Sequence, residues 1–133
     1  GEKGKALFKI KDYEFKDDFI PCGLTVRLTK CYKAQTEFFI SIYERIYKEK
    51  GDIKEAEVTK IVNSLLYEDL ELYDKWQNIL IDTVYQFVNF YYPVNRDFIA
   101  KGLSEKELVT AYDNIKAIGV TKKEESKKKD LKK

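Results

Sequence analysis

The sequence predicts a mostly α-helical protein with a small β part: an N-terminal β-hairpin packed on a bundle of about four helices. Three observations carry that expectation. Residues 8–16 alternate apolar and polar side chains, from Leu24 onward apolar residues recur at three- and four-residue steps, and Pro21, Gly51, Pro93, Gly102 and Gly119 punctuate the chain. Period two belongs to a half-buried strand, steps of three and four to an amphipathic helix, and Pro or Gly to element ends. A chain of 133 residues closes one core. Residues 1–120 therefore read as a single domain and residues 121–133 as a flexible basic tail.

Residues 1–5, GEKGK, are polar and read as a frayed end. Phe8 and Ile10 fall on one side of the next stretch, Lys9 and Lys11 on the other. After Lys11-Asp12 the alternation resumes, with Tyr13 and Phe15 against Glu14 and Lys16. Two such runs about a short polar break read as a hairpin, which Asp17, Asp18 and Pro21 end. An isolated hairpin is marginal in water, so this one needs helices beneath it or a strand from another chain.

From about Leu24 the residues Leu24, Leu28, Cys31, Phe38 or Phe39, Ile42 and Ile46 form the stripe of a helix ending near Gly51. Lys48 and Lys50 suit the negative end of its dipole. The stripe thins between Lys33 and Thr36, where a long helix has room for a break. A second helix from about Ile53 carries Ala56, Val58, Ile61, Val62, Leu65 and Leu66. A third carries Leu72, Tyr73, Trp76, Ile79, Leu80, Val84, Phe87, Val88 and Tyr91. Glu68-Asp69 either caps a break between them or rides the surface of a continuous rod.

Pro93 stops the third helix, because the residue before a proline is pushed out of the α region. Asn95 can N-cap a short turn over residues 96–101, which Gly102 closes. Ser104 and Glu107 are spaced as a capping box ahead of Leu108, Ala111, Tyr112 and Ile115, and Gly119 closes that last helix.

Composition argues against catalysis. The chain has no His, which removes the usual general base and the commonest metal ligand. Cys22 and Cys31 have no further partners for a zinc site and form no disulfide framework, so a reducing compartment is expected. No glycine-rich phosphate loop and no Gly-x-Ser-x-Gly elbow is present. The acidic pairs Asp17-Asp18 and Glu68-Asp69 sit at element ends, where carboxylates act as solvated caps. The expectation is a protein that is no enzyme, with no cofactor and no metal.

No apolar run is long enough for a membrane span, and the N-terminus lacks a signal-peptide profile. The tail TKKEESKKKDLKK holds seven Lys and three acids, so it carries +4 and the remaining residues −2 of the net +2. A nucleic-acid-binding domain places its basic surface on the folded body. Here the basic charge belongs to the tail, and Glu124, Glu125 and Asp130 interrupt it, so nucleic acid is not an expected partner.

Ten Tyr, eight Phe and one Trp give the chain an unusual aromatic load. Phe38 and Phe39, and Tyr91 and Tyr92, are adjacent pairs. Helix neighbours point about 100° apart, so one member of each pair falls near the edge of the buried stripe. Phe38, Phe39, Tyr43, Tyr47, Tyr91 and Tyr92 are the candidate partner-binding residues, with an all-core role as the alternative for the first four.

The segment FVNFYYPVNRDFIAKGLSEKEL, residues 87–108, runs an aromatic helix into a proline stop, a capped turn, a Gly-Leu pair and a Ser-x-x-Glu box. With the hairpin LFKIKDYEF and the proline-marked helix start DDFIPCGLTVRL, this order resembles the phage tail assembly chaperones over most of residues 6–119. Gly102, Leu103 and Leu108 fall where that family's pattern wants them. Tyr92-Pro93 replaces the usual aromatic-Thr, Lys101 replaces an acid before the Gly, and residues 37–72 are longer than usual.

The resemblance implies a non-enzymatic chaperone in the host cell cytoplasm. Such a protein holds the tape-measure protein soluble, is displaced as tail tube protein subunits assemble, and can self-associate as a homo-oligomer. In many such phages a programmed frameshift near the end of the gene makes a longer product, and the Lys-rich run here is compatible with one. The alternative is a small phage or bacterial inhibitor that binds one folded host protein through the same aromatic surfaces.

Overall fold

Two long helices running in opposite directions frame the molecule. The structure is a computed structural model that describes residues 7–16 and 18–119. The expectations for the first five residues and for the basic tail lie outside those described residues. Among the described residues two strands and five helices follow in the order β1 (Leu7–Ile10), β2 (Tyr13–Lys16), α1 (Cys22–Lys50), α2 (Glu55–Glu68), α3 (Leu70–Tyr91), α4 (Arg96–Ala100) and α5 (Glu105–Lys116). The protein is mostly helical, with an antiparallel hairpin seated on helices, as its periodicities predict. No helix among the described residues is long and apolar enough to cross a membrane.

α1 and α3 are antiparallel. Gly23, at the start of α1, faces Phe90 near the end of α3, and Arg45 near the end of α1 meets Asp69 at the start of α3. α1 does not break between Lys33 and Thr36. Those residues include no Gly or Pro, and the polar residue facing inward, Gln35, accepts a hydrogen bond from the Tyr112 hydroxyl of α5. A satisfied polar side chain leaves a buried stripe no reason to interrupt its helix.

The α2–α3 junction is a capped break, not a continuous rod. Asp69 is extended, and its Oδ1 accepts from the backbone N–H groups of Glu71 and Leu72 at 3.0 and 3.2 Å. Those two donors have no partner within their own helix, which is why a carboxylate placed there starts a new one.

The apolar interior forms two clusters. One joins Ile10 and Phe15 of the hairpin to Leu24 and Leu28 of α1, Val84, Phe87 and Val88 of α3, Ile99 of α4 and Leu108 and Ile115 of α5. The other joins Phe38, Ile42 and Ile46 of α1 to Val58 and Val62 of α2. Trp76 packs against both. The hairpin contributes one face: Phe8 lies opposite Phe15 and Ile10 opposite Tyr13. The Phe8 and Phe15 rings stand 5.8 and 4.8 Å from that of Phe87. The stacking supplies the helical floor that a two-stranded hairpin requires.

Beyond Pro93 the connection follows the expected order. Asn95 Oδ1 accepts from the N–H of Phe98 at 3.1 Å, and Ser104 and Glu107 form a reciprocal capping box. Gly102 serves a different purpose from the one its position predicts. Its backbone is not left-handed; a Cβ there would overlap the carbonyl oxygen of Phe98. Positive φ falls instead at Gly51, the C-cap of α1, and at Gly119, beyond the end of α5, with values of 70° and 81°.

Candidate interaction surface

The six aromatic candidates fall into different environments, set by where each lies around its helix. Phe38 is buried, its ring stacked 5.9 Å from that of Trp76. Buried there, it shapes the core, with an edge on an open depression between α1 and α3. Phe39, turned about 100° further round α1, is half-buried and meets the edge of Trp76 at 5.1 Å and Tyr43 at 6.3 Å. It is the member of the pair that reaches the edge of the stripe.

Tyr43 and Tyr47 are exposed, at 40% and 46% of their surface, and Ile40 beside them at 48%. Steps of three and four put these residues on one side of α1. Between the two tyrosines and α2 lies an open depression of about 420 Å³, lined also by Ile53, Val58, Glu55 and Thr59. Its apolar members are Ile53, half-buried, and Val58, buried, while Glu55 and Thr59 are exposed.

Tyr92 is committed to the fold. Its hydroxyl donates to the carbonyl oxygen of Glu14 at 3.0 Å, and its ring lies 4.3 Å from that of Tyr13. It thereby fastens the outer side of β2 to the end of α3. Tyr91 is exposed, standing 5.7 Å from Phe15 and 5.1 Å from Phe90. Partial burial, then the negative charge of Asp18, push its phenol pKa up. Phe19, also well exposed, lies close in sequence to that carboxylate.

These residues do not make one surface. Tyr91 neighbours Phe90, which touches Gly23 at the beginning of α1. The helix from Gly23 to Tyr43 spans about 30 Å at a rise of about 1.5 Å per residue. The structure therefore separates the Ile40–Tyr43–Tyr47 side of α1 from the Tyr91 end.

Two further exposed residues escape the periodicity reading. Tyr67 and Leu70 flank the α2–α3 junction, and each is 80% exposed. Both lie off the apolar stripes of their helices, and that is the signal that marks them. Among the described residues no three Cys, Asp or Glu side chains converge as a metal site requires. Compared with known protein families, curated proteins and solved structures, the chain gives no match.

Proposed function

We propose that this protein is a non-enzymatic phage tail assembly chaperone that binds the tape-measure protein and keeps it soluble in the host cytoplasm during tail tube assembly. The observation that carries the reading is the exposed Ile40–Tyr43–Tyr47 side of α1, beside an open depression against α2 whose walls mix Ile53 and Val58 with Glu55 and Thr59. Tyr and Ile in that setting give a client helix rings and an aliphatic side chain to pack on, with hydroxyls that keep the free surface wetted. The order of hairpin, proline-led helix, aromatic helix, proline stop, Gly-Leu turn and capping box supports it further.

The chemistry required is modest. A chaperone of a long helical client binds weakly at many places, so that growth of the tube strips it away. A shallow, open aromatic surface suits that task better than a deep pocket, because little of the client is desolvated at each contact.

Co-expression with the tape-measure protein encoded in the same genome tests the proposal. The expected result is a soluble tape-measure protein that co-purifies with this chain. A tape-measure protein that stays insoluble and unbound, while one folded host protein is captured in fixed ratio, would replace the chaperone reading with the inhibitor reading.

A further inference from the structure

A second depression, apart from the tyrosine side of α1, lies where α2, α3 and α5 meet beside Trp76. There a cavity of about 220 Å³ is lined by Tyr67, Tyr73 and Trp76, with Leu66, Val109 and the Glu105 carboxylate among its other walls. Three aromatic side chains and one acid border a space large enough for the end of a long side chain. Glu105 as a hydrogen-bond acceptor, then burial, then the charge of Glu105, raise the Tyr73 pKa. Among the described residues no lysine or arginine pairs with Glu105.

We infer that this cavity binds the cationic end of a lysine or arginine side chain presented by a partner polypeptide. Aromatic faces carry negative quadrupole potential and attract an ammonium or guanidinium group, an effect that strengthens as the cation is desolvated. A carboxylate on the same wall adds a charge-assisted hydrogen bond. Tyr67 and Leu70, the two most exposed large apolar side chains among the described residues, flank the α2–α3 elbow. They give a polypeptide something to lie on, as a small free cation would not need. The site is independent of the tape-measure proposal and uses none of the six aromatic candidates.

Trp76 is the only tryptophan, so its fluorescence reports on the cavity directly. The full chain is titrated with Nα-acetyl-lysine amide, Nα-acetyl-arginine amide, neutral Nα-acetyl-norleucine amide and choline, at constant ionic strength. A saturable change in Trp76 emission with the lysine or arginine derivative, and none with norleucine, is expected. Glu105→Gln, which leaves the Ser104–Glu107 cap intact, and Tyr67→Ala, at an exposed position, each weaken the response about threefold. Circular dichroism confirms that both variants fold. No saturable response to either basic derivative, an equal response to norleucine, or a response to choline alone overturns the inference.

Discussion

At Gly102 one methyl group decides a connection. A Cβ there would meet the carbonyl oxygen of Phe98, so Gly102→Ala forces the α4–α5 link to shift. The expected cost is about 2 kcal/mol, read from urea unfolding. Two carboxylates make the fold sensitive to acid. Backbone N–H groups hold Asp69, through Leu72 first, and Glu107, through Ser104 first, below their ordinary values of 3.8 and 4.5. A folded-state pKa below the unfolded one means that protonation favours unfolding. The stability these groups give is complete above their ordinary values and is lost as pH falls through the lower folded ones. The melting temperature therefore falls as pH drops below about 4, and Glu107→Gln falls less steeply over that range. The thiols differ too: burial pushes the Cys31 pKa up, while Cys22 is exposed. A thiol-specific disulfide reagent should label Cys22 quickly and Cys31 only slowly at neutral pH.

At the scale of elements, Tyr92 is the fastening between β2 and α3. Tyr92→Phe removes its hydrogen bond to Glu14 while keeping the ring against Tyr13, and should cost about 1 kcal/mol in thermal unfolding. Most element ends were legible in the sequence because short-range chemistry sets them. Pro93, Asn95 and the Ser104–Glu107 pair act within one helical turn, and the structure uses each as the spacing implies. Less legible were features that depend on partners distant in sequence. Gln35 looks like a weak point of α1 until Tyr112 is known to face it. The role of Gly102 depends on a carbonyl that only the folded turn brings close. The six aromatic candidates share residue type, yet Phe38 is core, Tyr92 a fastening, and Tyr43 and Tyr47 free surface. Helical angle separates neighbours in a pair, but only the layering of α2 and the hairpin on α1 and α3 decides which side is covered.

At the scale of the whole molecule, two apolar clusters share the α1–α3 frame and meet at Trp76. Trp76→Ala should loosen both at once, costing about 3 kcal/mol in urea unfolding followed by circular dichroism. The tyrosines of the proposed client surface belong to neither apolar cluster, so they can be altered with less effect on stability than Trp76. The most direct measurement is the affinity of the tape-measure protein for the unaltered chain and for Tyr43→Ser/Tyr47→Ser, with both melting temperatures recorded. A loss of binding of about tenfold or more at an unchanged melting temperature is predicted. Equal binding by the two proteins, or no binding by either, would contradict a client surface on α1.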